Sequence, residues 1–123
     1  MNARTLGTGL AGIFVAIGAG AMVAPKMSAF QYGLPSDDPT TLAWVRASGA
    51  RDLALGIILF GTLGDPRRAR DAFAWSTLIS GMDAVAVASV RGLRLNHVIH
   101  VGGSLALAYV AARFHAEIDE PPT

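Results

Sequence analysis

The chain contains no cysteine and few charged residues. Without cysteine, disulfide bonds, thiolate metal sites and thiol nucleophiles are all excluded. Charged residues make up 15% of the 123 residues, whereas about a quarter is usual in soluble domains. With a net charge of +1 and scattered basic residues, the sequence gives no basis for predicting a nucleic-acid partner.

Apolar and small residues are abundant instead. The chain is 52% hydrophobic, has a positive mean hydropathy and contains 14 glycines. Glycine destabilises soluble helices but allows close backbone approach between membrane helices. The length predicts a single domain over residues 1–123. We therefore expect an all-α, four-transmembrane-helix bundle in a lipid bilayer, with helices at about 4–24, 41–64, 70–91 and 93–115. A soluble four-helix bundle is the alternative.

The first predicted helix carries no charge between residues 5 and 25, which is about the length of a membrane span. Gly12, Ala16 and Gly20 recur every four residues. This spacing predicts a small-residue face that packs on another helix or on a second copy in a homo-oligomer. A signal peptide is the alternative interpretation of this segment.

The connection over residues 25–41 is the longest, and its prolines and glycine predict that it is not helical. Thr40 or Thr41 is the expected N-cap of the second helix. Tyr32 in this connection, and Trp44 just after it, are candidates for covering a substrate pocket. The alternative for these aromatic residues is anchoring at the lipid headgroups.

The second helix contains the most unusual residues of the chain. At about 100° per residue, one face is predicted to carry a mixed set of charged, small and apolar residues: Arg46, Gly49, Asp52, Leu53, Gly56 and Phe60. Arg51 points away from Arg46. Charges within an apolar span are expensive and are kept where they have partners or a function.

Polar residues of three helices are predicted to share one depth. With a rise of about 1.5 Å per residue, Arg46 lies about 9 Å and Asp83 about 12 Å from the same end. His97 and His100 lie about 6 and 10 Å in, at the same level, whereas Arg51 and Asp52 lie deeper, about 17 Å in and near the bilayer centre. Asn96 can join this layer at its rim.

The layer supports two main interpretations. In the first, Asp52 and Asp83 neutralise two arginines and hold the helices together as a structural ion-pair network. In the second, the layer is a site for acid–base chemistry. Its candidate catalytic residues are then Asp83, His100, His97 and Asp52, and its candidate substrate-binding residues are Arg46, Arg51, Asn96, Tyr32 and Trp44.

Other kinds of site are less well supported by the sequence. His97 and His100 are spaced as two ligands on one helix face, with Asp83 as a third ligand, so a metal site is an alternative. No nucleophile-elbow, phosphate-loop or dinucleotide motif is present. We therefore expect neither a cofactor nor a metal.

The basic residues also predict an orientation. Four crossings place both termini on the side of Arg4, Arg67, Arg68, Arg70 and Arg113. The positive-inside rule then favours cytoplasmic termini in a bacterial-type inner or plasma membrane.

The stretch Gly49-Ala50-Arg51-Asp52-Leu53, followed by Gly56, resembles a family of small four-span membrane proteins. That family is described as a domain of unknown function and is similar in general appearance to the DoxX-like group. The resemblance covers most of the chain, and it implies a four-helix membrane fold without implying an activity.

The leading hypothesis is an enzyme that works without a cofactor on a lipophilic small molecule, as an isomerase, a cyclase or an epoxide-opening hydrolase does. Asp83 and His100 would transfer protons, Arg46 and Arg51 would bind an oxygen, and Asp52 would orient an arginine. A proton-coupled carrier of small molecules or anions, and an accessory membrane subunit, are the alternatives.

Overall fold

The structure of the protein, a computed structural model, describes residues 1–91 and 97–119. These residues form helices and no strand, which confirms the predicted all-α class. Five helices follow one another along the chain: α1 (Ala3–Val23), α2 (Pro25–Gln31), α3 (Pro39–Thr62), α4 (Pro66–Arg91) and α5 (His97–Asp119).

Helix α3 begins at an Asp-Pro pair. The Asp38 carboxylate accepts hydrogen bonds from the Thr41 backbone N–H at 2.7 Å and from the Thr41 hydroxyl at 2.9 Å. Proline suits the first helical position, because its missing N–H would have no helical partner there. Asp38 is therefore the N-cap. The predicted N-cap at Thr40 or Thr41 is wrong, since Thr41 lies in the first turn.

Helix α4 begins in the same way. Asp65 Oδ1 accepts from the backbone N–H groups of Arg67 at 3.0 Å and Arg68 at 3.3 Å, and Pro66 is the first helical residue. The helix thus begins before residue 70, where the sequence predicted its start. The predicted start of the last helix at Leu93 lies outside the described residues.

The prediction of no helix over residues 25–41 is wrong, because α2 occupies the first part of that segment. Pro25 is the first residue of α2. The helix ends at Gln31. Gly33, just beyond it, has a left-handed φ of 72°, and the Leu34 N–H donates to the Ala29 carbonyl at 2.8 Å. This is a glycine-terminated helix end. Proline and glycine mark the two ends of a short helix here.

The chain divides into two compact units. The first comprises Met1–Leu10 and Leu59–Thr123. In this unit α4 packs along α5, and the Phe73 and Phe114 rings lie with their centroids 5.9 Å apart. The same unit contains a set of buried apolar side chains: Leu59, Leu63, Ala69, Leu107 and Val110.

The second unit comprises Ala11–Ile58, and in it α1 crosses α3 almost backbone to backbone. A Cβ atom on Gly18 would lie 2.4 Å from the Leu53 nitrogen, and one on Gly49 would lie 2.6 Å from the Ala21 Cβ. Only glycine fits at such distances. The predicted face of α3 is therefore confirmed for Gly49, Leu53 and Gly56, all of which contact α1.

The face of α1 that meets α3 differs from the predicted one. The contact uses Ala11, Val15, Gly18 and Ala21, whereas the sequence predicted packing through the face that contains Gly12, Ala16 and Gly20. Ala16 and Gly20 are exposed. The predicted face is thus wrong for packing within the chain, and its role in a homo-oligomer stays a prediction.

Two helices in the described part of the chain are long and apolar enough to cross a membrane, Ala3–Val23 and Pro66–Ser89. α3 carries three charged residues close together, Arg46, Arg51 and Asp52, and α5 carries two histidines in its first turn. Neither α3 nor α5 is one of these two helices. A bundle of four spanning helices stays a prediction.

Candidate functional site

The charged pair of α3 is formed within the helix itself. Arg51 donates from Nε and from Nη2 to the same carboxylate oxygen of Asp52, at 3.2 and 2.9 Å. The Asp52 side chain is only 14% exposed, and that of Arg51 is 40% exposed. An arginine with a carboxylate beside it presents a nearly neutral pair, which lowers the cost of placing both in an apolar region.

The other predicted binding residues of the second unit lie in different surroundings. Arg46 and Trp44 are exposed. Tyr32 is partly buried and packs against the apolar cluster of this unit: Ala21, Ala29, Leu42 and Val45. Tyr32 thus has a packing role beside its predicted role in covering a pocket.

In the first unit, two contacts fix how α4 and α5 run past each other. Phe73 stacks near Phe114, and a Cβ on Gly103 would lie 3.8 Å from the Ser80 Oγ. As α4 proceeds from Phe73 to Ser80, its partner therefore runs backward from Phe114 to Gly103. The two helices are antiparallel.

This register places Asp83 level with His100. Asp83 follows Ser80 by three residues, and His100 precedes Gly103 by three residues. In an antiparallel pair both steps lead in the same direction, by about 4.5 Å. Both residues are partly buried, and the Nε2 atom of His100 is buried. A carboxyl group and an imidazole at one level are the two groups that proton transfer needs.

Hydroxyl groups lie next to this level on both helices. Ser104 donates its hydroxyl hydrogen bond to the His100 carbonyl at 3.1 Å, which leaves the oxygen lone pairs available as acceptors. Ser80, opposite Gly103, is partly buried, and Ser76, one turn earlier on α4, is buried.

Two predicted residues lie at the edge of what the structure describes. Asn96 lies outside the described residues, and His97 is the first residue of α5. Among the described residues, no group of three His, Asp or Glu side chains is placed to hold a metal. The alternative of a metal bound by His97, His100 and Asp83 stays a prediction.

The predicted polar layer thus consists of two separately described parts. The second unit contains the Arg51–Asp52 pair, and the first contains Asp83 and His100 at one level. The convergence of all three helices on one site stays a prediction.

Two carboxylates between α2 and α3 are held in their charged form. Lys26 donates a hydrogen bond to Asp37 and attracts its charge at 2.6 Å, so the pKa of Asp37 is lowered from 3.8. The backbone N–H of Thr41, followed by its hydroxyl, lowers the pKa of Asp38 from 3.8. Both groups are exposed, so they order the connection without forming a reactive site.

The residue that sequence reasoning missed is Gly103. It brings α5 against Ser80 and so sets the register that aligns Asp83 with His100. The Gly102–Gly103 doublet was the available signal, but spacing alone does not show which of the two glycines faces a neighbour. Gly102 has no atom within 4 Å of its Cβ position, apart from its own helix backbone.

Comparison with known proteins identifies a family. No match was found among curated proteins or among solved structures. A family model described as "Domain of unknown function (DUF4267)" matches residues 11–114. This match covers far more than half of the chain, so the chain belongs to the DUF4267 family.

Proposed function

We propose that this protein is a membrane-embedded enzyme that transfers protons at carbon atoms of a lipophilic small molecule, as isomerases and cyclases do. The observation that supports this best is the α4·α5 register, which sets Asp83 level with His100. One of these groups would remove a proton from carbon, and the other would return a proton to a second carbon. The reaction needs no net oxidation or reduction.

Exposed apolar side chains support the membrane location. α4 exposes a row of large apolar residues at helical spacing, and α5 exposes another: Trp75, Leu78, Met82 and Val85 on α4, and Val98, Val101, Leu105 and Tyr109 on α5. Apolar rows of this extent are unusual on monomeric soluble proteins. In a bilayer, these side chains would face the lipid tails.

The low burial of the two helices that are long and apolar enough to cross a membrane supports the same location. Only 22% of the apolar stretch in α1 and 11% of that in α4 is buried. The apolar helix of a soluble core would be mostly buried. We propose that α1, α3, α4 and α5 all cross the membrane, as the likeness to four-span, DoxX-like proteins implies.

One hydrogen bond supports the proposed orientation. The Ala3 backbone N–H donates to Glu117 Oε1 at 2.7 Å. The start of α1 and the last turns of α5 thus lie together, as an even number of crossings requires. The basic residues near these ends and at the start of α4 favour the cytoplasm of a bacterial-type cell for this side.

The lipophilic character of the substrate follows from the surroundings of the pair. Ser80, Ser104 and the backbone at Gly103 offer a few polar contacts beside Asp83 and His100, and apolar side chains make up the rest of the seam. Binding sites for small molecules combine mostly apolar walls with a few polar groups that orient the ligand. A lipid-soluble compound with one or two oxygen atoms fits this description.

The test is hydrogen exchange with solvent. The purified protein in lipid vesicles would be incubated in deuterated water with a non-polar extract of the cells that make it. Proton removal and return at carbon would incorporate deuterium into one lipophilic compound, and mass spectrometry would detect this incorporation. D83N and H100A should abolish it.

Matched controls lie on the same helices. Asp71 is exposed near the start of α4, where it pairs with Arg70 at 2.7 Å, and His115 is exposed on α5. D71N and H115A should leave the deuterium incorporation unchanged. If no compound gains deuterium, or if D83N labels it as fast as the unmodified protein does, the proposal is wrong. A carrier or a structural ion-pair network would give that result.

A further inference from the structure

The seam between α4 and α5 changes character along its length. At one end it is apolar, where Phe73 of α4 lies against Phe114 of α5 and where Ala69 and Val110 are buried. At the other end it is polar, with two pairs of residues toward the α4–α5 connection: Ser80 and Asp83 on α4, His100 and Ser104 on α5. Ser76 and Leu107 lie at the boundary between the two halves.

Burial changes at the same boundary. Ala69, Phe73 and Ser76 are buried on α4, as are Leu107, Val110 and Phe114 on α5. Among the side chains that the structure describes, none beyond Ser76 on α4 and none before Leu107 on α5 is fully buried. Among the described residues, the polar half of the seam is therefore the less buried half.

The apolar half is closed tightly. A Cβ atom on Gly7 would lie 2.8 Å from Leu63 Cδ2, 3.2 Å from Phe73 Cζ and 3.4 Å from Phe114 Cε2. The space around Gly7 thus cannot take even a methyl group without movement of these side chains. A region packed this closely and lined by apolar groups has no room for water. We call Leu63, Phe73, Leu107 and Phe114 the plug.

We infer that the Asp83–His100 site opens to water from one side of the membrane only. The open side is the one where α4 ends and α5 begins, and the plug closes the other. This inference rests on the proposed function and adds to it. Ser80 and Ser104 form the floor of the site, where they position an oxygen atom of the substrate. A protein with this arrangement exchanges protons with one compartment and does not carry a solute across.

The absence of cysteine makes a direct test available. Single cysteines would replace Ser80 and Ser104, and a charged thiol reagent that does not cross membranes would be added to one side of oriented vesicles at a time. R68C at the start of α4 and S89C near its end mark the two sides. We expect S80C and S104C to react from the S89C side only, and L107C to react from neither side.

Two neighbouring glycines provide a matched pair of blocking variants. A leucine at position 103 would extend toward Ser80, because the Cβ position already lies 3.8 Å from its hydroxyl. A leucine at position 102 would meet nothing within 4 Å of its Cβ beyond its own helix backbone. Adding G103L should therefore protect S80C from the reagent, and adding G102L should not.

Each outcome decides the inference. Reaction of S80C and S104C from both sides would overturn it in favour of a carrier, and reaction from neither side would overturn it in favour of a sealed structural network. In the G103L and G102L backgrounds, unchanged labelling of R68C and S89C shows that the fold and the orientation are intact. The deuterium experiment is separate. One-sided labelling without deuterium incorporation would contradict the proposed enzymatic function. It would still support the inference that the Asp83–His100 site opens to one side of the membrane.

Discussion

Phe73 and Phe114 lie ring against ring, with centroids 5.9 Å apart and planes inclined by 30°. This contact joins the first half of α4 to the second half of α5, and with the approach of Ser80 to Gly103 it shows that the two helices are antiparallel. The approach of Ser80 to Gly103, which involves the shorter side chains, sets the register. The proposed function depends on this register, because a shift of one turn would separate Asp83 from His100 by about 5 Å.

Removing the Phe73 ring should destabilise the first unit strongly. Phe73 is fully buried, and truncating a buried phenylalanine to alanine costs about 3–5 kcal/mol through lost contacts and a residual cavity. F73A should lower the free energy of unfolding by about that amount in a denaturation series in detergent micelles. W75A is the control on the same helix. Trp75 is 68% exposed, so its loss should change stability much less.

The glycines at the α1·α3 crossing should not tolerate even alanine. G18A would place a methyl group 2.4 Å from the Leu53 nitrogen, and G49A and G56A would create similar contacts. Each variant should lose about 1–3 kcal/mol, the usual cost of overpacking. G9A and G20A add the same methyl group to α1 where nothing lies within 4 Å, so they should be neutral or slightly stabilising. Equal effects in both groups would contradict the crossing.

The start of α3 should depend on acid pH through Asp38. The folded-state pKa of Asp38 is lowered from 3.8, chiefly because its carboxylate accepts the Thr41 N–H. Its stabilising effect is therefore fully present above pH 3.8 and is lost as the pH falls through the lower folded-state value. Hydrogen exchange of the Thr41 amide should accelerate, relative to its unfolded-state rate, over that range.

Two substitutions at Asp38 distinguish the effect of its N-cap hydrogen bond from the effect of its charge. D38A should remove the cap at every pH, so Thr41 should exchange faster throughout. D38N should keep the cap and lose the pH dependence, because asparagine is also a good N-cap but does not titrate. If D38A protected Thr41 as well as the unmodified protein does, the assigned cap would be wrong.

The helical class could be predicted from sequence because long apolar segments carry a clear signal. The predictions that were wrong concerned where helices begin and which residues contact each other in the folded chain. Pro25 and Pro66 suggested breaks, yet each begins a helix, because proline is favourable in the first turn and unfavourable only further in. The spacing of Gly12, Ala16 and Gly20 was suited to packing, but spacing does not select the neighbour, and α3 meets Gly18 instead.

The candidate site could likewise be predicted from the sequence only in part. The sequence placed Asp83 and His100 at similar depths by counting residues from the ends of their helices, and the register of α4 and α5 sets them at one level. Counting residues does not reveal a contact such as that of Gly103 with Ser80. Nor does it reveal that Arg51 folds back onto Asp52, its neighbour in sequence, because adjacent residues on a helix point about 100° apart.

The facing arrangement of Asp83 and His100 is the central claim, and cysteine cross-linking tests it most directly. In this cysteine-free chain, D83C combined with H100C should form a disulfide on mild oxidation, since cross-linking requires Cα atoms within about 7 Å. V85C with H100C is the control, because Val85 is 70% exposed and lies on another face of α4. A fast cross-link at position 83 and none at 85 is the predicted result. A cross-link at 85 in preference to 83 would contradict the register, and with it the proposed site.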